Sequence, residues 1–449
     1  MKLAILGGGG FRVPLVYGAL VADPTAHCID EVVLYDIDEA RLAAIAAVLA
    51  GQSQEAQHGC ADRLPAVSTT GDLDRALEGA DLVFCAMRVG GLAGRVIDER
   101  VALDLGVLGQ ETTGAGGIAF GLRTVPVARH IAMRVSTLAP HAWVVNFTNP
   151  AGLVTETMLD ILGERVVGIC DSPLGLVRRS AAALGYSPSQ AHPDYVGLNH
   201  LGWLRGLQVC GDDVLPQLLA QRDLLAAFEE GQLFGPEWIQ DLGAIPNEYM
   251  YYYNFTRDAI ADVHRAAQTR GEFLAIQQQA FYDRVGREPG AALARWRSAR
   301  HERDASYLAE LRHEHPRATE DLNAGGYEEV ALRLVRALSF SEPAELILNV
   351  RNGPSLPGLP AEAVIEVPCR VDRHGWQPLP IAPLGGAKLG LMQQVKEVEQ
   401  LTIRAALERD RRLATLAFAQ HPLVDSVTTA RALVHGYRAA HPEIGVLLR

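Results

Sequence analysis

Two short segments of the chain carry side chains that could bind one divalent metal ion. Cys170 lies at the end of an apolar run at 166–170, and His200 follows a second apolar run that starts at Tyr195. A thiolate and an imidazole are common metal ligands, and they could share an ion if the two runs are neighbouring strands. The residues alone favour a buried thiol and a core histidine, so the metal site is a hypothesis at this point.

The chain opens with a glycine loop that could place a dinucleotide beside such a metal. Four glycines follow the first apolar run and precede a helical stretch at 12–20, namely Gly7, Gly8, Gly9 and Gly10. Glycines let the backbone approach a pyrophosphate, which binds at the N-terminus of the following helix. The full G-x-G-x-x-G spacing is absent, because Arg12 takes the third place.

An acidic residue strengthens the nucleotide hypothesis. Asp36 ends the second apolar run, where a carboxylate can accept hydrogen bonds from an adenosine ribose and would repel a 2′-phosphate. The pair of features therefore predicts NAD rather than NADP as the cofactor. The alternative is a tight turn followed by a surface aspartate.

Three polar segments follow candidate strands and could contact a small substrate. The segment at 85–95 is predicted to be a glycine-rich loop, and its Arg88 and Arg95 could bind an anionic group bidentately. A second glycine-dense loop at 109–117 contains Glu111, and a third segment at 146–152 contains Asn149. We take these four residues as candidate substrate contacts. Surface salt bridges for the arginines, and simple turns for the other two segments, are the alternatives.

Composition limits the class of protein. The chain has 449 residues, 48% of them hydrophobic and 21% charged, which is typical of a globular protein. Its net charge of −12 argues against nucleic acid or an anionic membrane as the main partner. The six cysteines form no CxxC pair, so we expect reduced thiols, and the short apolar N-terminus predicts neither a signal peptide nor a membrane span. We therefore expect a cytoplasmic protein.

Apolar runs and helical patterns alternate along the first half of the chain, as in a parallel sheet with crossover helices. The predicted strands are 2–6, 31–35, 81–86, 143–146 and 166–170, and the predicted helices are 40–49, 73–79 and 125–138. In the second half, helical patterns at 257–285, 327–338 and 389–412 are interrupted by strands near 345–350 and 364–368. We predict an α/β fold in which a Rossmann-like doubly wound parallel sheet at 1–195 precedes a mixed α+β, largely helical C-terminal domain at 196–449. Strands on either side of this boundary could share one sheet.

Taken together, these segments resemble glycoside hydrolase family 4, the NAD- and metal-dependent glycosidases, many of which act on 6-phosphoglycosides. The resemblance spans nearly the whole chain. Besides the glycine loop, the matching segments are 88–91, 109–112, 146–150, 168–170, 197–200, 246–249 with 251–253, 366–369 and 390–394.

The resemblance implies both a reaction and the residues that perform it. NAD would oxidise carbon 3 of the sugar, a base would remove the proton on carbon 2, and the aglycone would leave before water adds and the hydride returns. Cys170 and His200 match the family's metal ligands, and an open shell of mostly oxygen donors favours Mn²⁺ or another divalent ion. Tyr249 matches the base and Asp171 is the candidate acid. Arg270 matches a Thr-Arg segment and is a third candidate for the phosphate.

Two departures from the family pattern bear on the substrate. An Asp after the metal-binding Cys is similar to the maltose-6-phosphate-type α-glucosidases, whereas Arg88 and the Thr269-Arg270 segment look more like the 6-phospho-β-glucosidases. Arg12, which stands in an unusual glycine turn, could join the phosphate site or face solvent.

From the resemblance we expect a 6-phospho-β-glucosidase that acts on phosphorylated sugars and forms a homodimer or homotetramer. The alternatives are a 6-phospho-α-glucosidase, a hydroxy-acid dehydrogenase, and a nucleotide-sensing protein without turnover.

Overall fold

The structure is a computed structural model that describes residues 1–23, 29–58, 64–307, 326–340 and 342–449. Its strands form a single 13-stranded sheet in the order β10-β8-β7-β12-β11-β6-β5-β4-β1-β2-β3, with β13 paired to β12 and β9 paired to β8. The strands are β1 (Lys2–Leu6), β2 (Glu31–Tyr35), β3 (Ala66–Thr70), β4 (Leu82–Cys85), β5 (Trp143–Asn146), β6 (Val166–Gly168), β7 (Ala191–Leu198), β8 (Leu201–Val209), β9 (Asp212–Asp213), β10 (Ile245–Pro246), β11 (Ala344–Arg351), β12 (Val364–Asp372) and β13 (Gly375–Pro378).

The first six strands are parallel and lie in the order 3-2-1-4-5-6. This is the doubly wound order of dinucleotide-binding folds, in which the connections reverse direction between β1 and β4. A crevice opens at that reversal, beyond the carboxyl ends of the strands. The glycine loop follows β1 and Arg88 follows β4, so both lie at this crevice. The predicted Rossmann-like fold is confirmed, and so is the largely helical C-terminal region.

Helices cover both faces of the sheet. They are α1 (Val13–Ala22), α2 (Glu39–His58), α3 (Leu73–Leu77), α4 (Gly91–Asp104), α5 (Ala115–Leu138), α6 (Ala151–Leu162), α7 (Ser172–Ala183), α8 (Leu215–Leu219), α9 (Arg222–Ala226), α10 (Glu229–Phe234), α11 (Pro236–Leu242), α12 (Tyr251–Asn254), α13 (Thr256–Arg265), α14 (Arg270–Arg287), α15 (Ala292–Ala305), α16 (Tyr327–Phe340), α17 (Gly386–Glu408), α18 (Arg411–Gln420), α19 (Val427–Ala440) and α20 (Pro442–Leu447). Short 3₁₀ turns lie at Gly163–Arg165, Pro188–Gln190, Glu248–Met250 and Pro289–Ala291.

The core has two parts because successive side chains of a strand point to opposite faces of the sheet. On β1, Leu3 and Ile5 belong to one buried cluster, and Ala4 and Leu6 belong to the other. A strand buried on both faces reads as a continuous apolar run, which is why the central parallel strands are recognisable in the sequence.

The sheet continues without interruption from the parallel strands into the C-terminal half. Strand β11 pairs with β6 on one side and with β12 on the other, and β12 in turn pairs with β7. The possibility that strands on both sides of residue 195 share one sheet is therefore confirmed. The boundary between 1–195 and 196–449 falls within β7 and stays a prediction.

Two predicted helices and one predicted loop need correction. The pattern at 257–285 forms two helices, because Thr269 and Glu272 build a capping box that starts α14 at Arg270. The pattern at 389–412 also divides, because Arg409 adopts a left-handed φ of 56° between α17 and α18.

The third correction concerns the segment predicted to be a glycine-rich loop at 85–95. Its second part forms the start of α4 after Gly90, which has a φ of 84°. The side chain of Arg123 lies against this turn, and a Cβ at Gly94 would lie 3.3 Å from Arg123 Nη2. A side chain at position 94 would therefore force the Arg123 guanidinium to shift by a few tenths of an ångström. Arg95 lies on the helix.

The cysteines of the described residues, Cys85, Cys170, Cys210 and Cys369, are all free thiols. Cys28 and Cys60 lie outside the described residues. Within the described ranges, no helix combines the length and the apolar character that a membrane span requires.

Candidate functional site

A cavity lies beyond the carboxyl ends of the parallel strands and brings together most of the residues selected from the sequence. Those that line it are Gly10, Arg88, Arg95, Glu111, Asn149, Cys170, Asp171, His200, Tyr249 and Arg270. Gly7, Gly8, Gly9 and Asp36 lie just outside its lining, at the neighbouring ends of β1 and β2. Arg12 lines the cavity as well, so it does not simply face bulk solvent.

The glycine loop is held tightly against the end of β2. The N–H groups of Gly7 and Gly8 both donate to the carbonyl of Tyr35, at 2.9 and 2.7 Å. Gly7 has a φ of +86°, and a Cβ there would lie 2.6 Å from the carbonyl oxygen of Ala86. The N–H of Gly9 donates to Asp36 Oδ2 at 3.0 Å. Asp36 is therefore positioned beside the loop, where a ribose hydroxyl would lie next to a pyrophosphate.

Two aromatic residues of the C-terminal half fix the other side of the loop. The hydroxyl of Tyr282 donates to the carbonyl of Gly9 at 2.7 Å, and Trp296 Nε1 donates to the carbonyl of Phe11 at 2.8 Å. The guanidinium of Arg41 lies 4.5 Å from the centre of the Tyr282 ring. The shape of the N-terminal loop therefore depends on helices α14 and α15.

Glu111 is the centre of a charged cluster on the cavity wall. Its carboxylate pairs with Arg88, and its Oε1 lies 2.7 Å from Arg95 Nη1. Burial acts to raise the pKa of Glu111, but the charges of Arg88 and Arg95 outweigh it and lower the pKa to about 2. Glu111 is thus an ionised hydrogen-bond acceptor. Both arginines have a carboxylate partner within the chain, so neither guanidinium group is without an ion pair.

A second interaction ties this cluster to Arg270. Arg95 Nε donates to Glu99 Oε1 at 2.7 Å, and Glu99 Oε2 accepts the N–H of Gly271 at 2.8 Å. Arg270 itself donates to the carbonyls of Arg303 and Ser306, at 2.8 and 3.0 Å. The structure therefore brings Arg270 and Arg95 to the same side of the cavity.

Sequence reasoning missed other residues of the cavity wall. They include Arg178, Glu248, Arg300, Arg303 and Tyr307. The last three belong to or follow α15, whose arginine-rich pattern resembles an ordinary solvent-exposed helix. Packing of α15 against α2 and α14 places them here, and the local sequence does not reveal this contact.

Cys170 and His200 line the same cavity, although the two runs that precede them are not neighbouring strands. Strands β11 and β12 lie between β6 and β7. One row of paired residues crosses these four strands, from Gly168 through Asn349 and Glu366 to Gly197. The insertion of two antiparallel strands could not be inferred from the spacing of two motifs.

His200 is presented in a form that can bind a metal. Its φ is 63°, in the turn between β7 and β8, and burial lowers its pKa to about 4, so the imidazole is neutral. Thr112 Oγ1 lies 2.9 Å from His200 Nδ1 and donates its own proton to Gln110 Oε1. The threonine oxygen must then accept from Nδ1–H, which leaves the Nε2 lone pair for a ligand.

Cys170 is buried, and the burial, followed by the charges of Glu366 and Asp171, raises the pKa of its thiol well above the usual value. A bound cation would reverse this by stabilising the thiolate. Within the described residues, no three or more His, Cys, Asp or Glu side chains form a metal-binding group. One thiol and one neutral imidazole fit a metal whose remaining ligands come from substrate and water.

Tyr249 is joined to two further residues by hydrogen bonds. The Tyr307 hydroxyl lies 3.2 Å from that of Tyr249 and 3.3 Å from Glu248 Oε1, which also accepts from Ser172 at 2.6 Å. Burial raises the pKa of Glu248 to about 7. Burial and then the charge of Glu248 raise the pKa of Tyr249 above its usual value. Without a cation, Tyr249 is therefore a neutral phenol.

Asp171 and Asn149 complete the wall. The side chain of Asp171 is 38% exposed, and its Oδ2 lies 4.0 Å from Arg12 Nη1. Asn149 precedes a cis peptide bond to Pro150, and the next N–H, of Ala151, donates to Asn199 Oδ1 at 3.2 Å. Asn149 is thus linked through its own turn to the residue before His200.

Comparisons with known proteins agree with this geometry. The family model described as Family 4 glycosyl hydrolase matches residues 2–186, and the one described as Family 4 glycosyl hydrolase C-terminal domain matches 195–424. A probable 6-phospho-beta-glucosidase of Bacillus subtilis (strain 168) is 30% identical over 98% of this chain and 96% of its own. A maltose-6'-phosphate glucosidase of the same organism is 28% identical over 96% of this chain and 94% of its own.

Solved structures show the same fold. The 6-phospho-beta glucosidase from Thermotoga maritima, in a form with manganese, NAD⁺ and glucose-6-phosphate, superimposes with a TM-score of 0.81 at 28% identity and covers 99% of both chains. The matches to both family models, together covering most of the sequence, and the identity to the Bacillus relative lead to one conclusion: the chain belongs to family 4 of the glycosyl hydrolases.

Proposed function

We propose that this chain hydrolyses 6-phospho-β-glucosides with NAD and a divalent metal, preferably Mn²⁺, as cofactors. The observation that carries the proposal is one cavity lined by Cys170, His200 and Tyr249 beside the glycine loop of a doubly wound sheet. The Thermotoga maritima relative, whose structures contain manganese, NAD⁺ and glucose-6-phosphate, supports the same cofactors and a phosphorylated sugar.

Each cofactor has residues that fit it. The glycine loop and Asp36 would hold NAD, and Cys170 with the Nε2 atom of His200 would hold the metal. When bound, the two groups supply a hydride acceptor and a Lewis acid for the sugar's oxygens.

The chain's own residues then move the protons. Tyr249 removes the proton from carbon 2 of the sugar while carbon 3 is in its oxidised form, and Asp171 donates a proton to the departing glycosidic oxygen. Asp171 suits an acid at the open side of the cavity because its side chain is 38% exposed. Water then adds at carbon 1, and the sugar regains its original oxidation state, so no cofactor is consumed overall.

The charged cluster would hold the sugar and its phosphate. Glu111 is ionised and can accept hydrogen bonds from sugar hydroxyls, and Asn149 can donate or accept beside it. Arg88, Arg95 and Arg270 are the candidates for the phosphate. Arg88 and Arg95 already pair with Glu111. Their positive charges would attract the phosphate, and their N–H groups would be shared between the phosphate and the Glu111 carboxylate.

A 6-phospho-α-glucosidase is the second candidate. Asp171 follows Cys170 as in the α-type pattern, and the maltose-6'-phosphate glucosidase is nearly as similar to this chain as the β-type relatives. We prefer the β substrate because Arg88 and the Thr269-Arg270 segment follow the other pattern. We also propose a cytoplasmic location and a homodimer or homotetramer.

A panel of four aryl glucosides tests the function. The 4-nitrophenyl α- and β-glucosides, each with and without a 6-phosphate, are incubated with the protein, NAD, Mn²⁺ and a thiol reductant. We expect release of 4-nitrophenol from the phosphorylated β-glucoside and no net formation of NADH. Net NADH would support a dehydrogenase, and NAD binding without release from any of the four would support a regulatory protein.

A further inference from the structure

A buried carboxylate that no sequence motif assigns to the reaction lies between the strands that lead to Cys170 and His200. Glu366 on β12 is 0% exposed. In the register of the sheet, Glu366 lies opposite Asn349 of β11 on one side and opposite Gly197 of β7 on the other. These residues belong to the row across the sheet that begins at Gly168 of β6. Strands lie roughly 4.8 Å apart, so the Glu366 backbone is about 10 Å from that of Gly168.

The hydrogen bonds of Glu366 lead to the turn that carries His200. Its Oε1 accepts from Asn349 Nδ2 at 2.8 Å and lies 3.5 Å from Asn199 Nδ2, and its Oε2 accepts from the Tyr195 hydroxyl at 3.1 Å. Asn199 directly precedes His200, whose backbone has a φ of 63°. A non-glycine residue in this conformation needs support from its surroundings, and the bond from Asn199 to Glu366 supplies part of it.

The charge of Glu366 has no positive partner among the described residues. None of the ion pairs formed by their Lys, Arg and His side chains includes it. An uncompensated carboxylate is costly to bury, and burial raises the pKa of Glu366 to about 7. After burial, the charge of Glu366 is also the largest influence on the Cys170 thiol.

A divalent cation at Cys170 and His200 would remove this imbalance. A thiolate and the Glu366 carboxylate together carry two negative charges, which equal the charge of one divalent ion beside a neutral imidazole. We propose that Glu366 is a positioning residue for the metal pair, holding the His200 turn through Asn199 and placing one buried negative charge within electrostatic range of Cys170. This inference rests on the proposed metal-dependent function.

The test measures binding of Mn²⁺ itself, by the loss of the free-ion EPR signal, in NAD-saturated protein without substrate. Removing an outer partner of a metal site weakens binding by roughly tenfold to a hundredfold. We expect this loss for Glu366→Gln, with NAD affinity within about twofold of the parent. The matched control is Glu345→Gln, which removes the same charge from an exposed position on the neighbouring strand β11. We expect it to bind Mn²⁺ like the parent.

Asn199→Ala provides a second measurement, and it decides the matter if Glu366→Gln does not fold. It keeps the carboxylate but cuts the link to the His200 turn, and we expect weaker Mn²⁺ binding again. Parent-like Mn²⁺ affinity in either folded variant overturns the inference and leaves the proposed function standing. If the parent protein binds no Mn²⁺, the proposed function itself fails.

Discussion

The ring of Tyr249 lies face to face with the ring of His200, with centroids 3.7 Å apart and planes 5° from parallel. The candidate base and the candidate metal ligand are therefore fixed relative to each other. A cation bound by His200 would bring a positive charge near the stacked Tyr249 side chain, and a nearby positive charge favours the phenolate.

Tyr249→Phe separates the stacking of the ring on His200 from the chemistry of the hydroxyl. The phenylalanine keeps the stacked ring and removes only the hydroxyl, so we expect Mn²⁺ affinity within about twofold of the parent and turnover reduced by at least about a hundredfold. The direct measurement is exchange of the carbon 2 deuterium with solvent during turnover. Exchange at the parental rate in the variant would remove the base role from Tyr249.

Cys170→Ser tests the second proposed metal ligand, which follows strand β6. A serine hydroxyl stays neutral and cannot replace the negatively charged thiolate as a metal ligand, so we expect metal-dependent turnover to be abolished. NAD affinity should stay near the parent's, because Cys170 follows β6 and the glycine loop follows β1, with β5 and β4 between these two strands. Activity that survives both the substitution and a chelator would count heavily against this site.

Glu248 makes stability depend on pH in a predictable direction. Burial raises its pKa in the folded protein from 4.5 to about 7, so the folded state binds the proton more tightly than the unfolded state does. The contribution of Glu248 to stability is therefore greatest below about pH 4.5 and is lost as the pH rises through about 7.

Glu248→Gln removes this titration and leaves the other carboxyl groups unchanged. We expect the free energy of unfolding of the variant, relative to the parent, to increase between about pH 5 and pH 8. Urea denaturation of both metal-free proteins at the two pH values measures it. A difference that does not change with pH would show that Glu248 is not perturbed in the folded state.

Arg95 and Arg88 should differ in their effect on stability. The Arg95 side chain is 7% exposed and pairs with Glu99 and Glu111, whereas that of Arg88 is 32% exposed and pairs with Glu111. Arg95→Met leaves buried charges uncompensated and should cost about 3–5 kcal/mol. Arg88→Met should cost about 1 kcal/mol or less. Equal midpoints of chemical denaturation for the two variants would contradict this reading of the cluster.

Tyr282→Phe tests how the glycine loop is held. Losing the hydroxyl leaves the buried carbonyl of Gly9 without its partner, which should cost about 1–3 kcal/mol of stability and weaken NAD binding. Tyr186→Phe is a suitable control, because among the described residues the Tyr186 hydroxyl forms no hydrogen bond. NAD titration and denaturation of both variants give the two quantities. Identical behaviour of the two would show that the loop keeps its shape without the Tyr282 hydroxyl.

The central strands were predictable because their burial on both faces leaves a continuous apolar run. The predicted 143–146 coincides with β5, and 31–35 coincides with β2. Strand β3 was missed because its residues are mostly exposed at the sheet edge. Strand β8 was also missed, whereas the end of β7 was noticed as the apolar run that precedes His200.

The part of the candidate site that could be predicted consists of residues in short motifs that follow apolar runs. Cys170 and His200 were selected in this way, Tyr249 was selected through the family resemblance, and all three line one cavity. Glu366 and Tyr307 were not selected, since their importance depends on partners that are distant in the sequence, 171 residues away for Glu366 and Tyr195 and 58 for Tyr307 and Tyr249. A single buried glutamate in an apolar strand gives no local signal of what it faces.

The bonds from Tyr282 and Trp296 to the glycine loop, together with β11 pairing against β6, mean that the nucleotide-binding part is not a detachable module. A fragment that stopped at residue 195 would present β6 as a bare edge strand and would leave two loop carbonyls without their donors. Chimaeras that join this N-terminal half to a relative's C-terminal half would therefore need matching residues at both contacts.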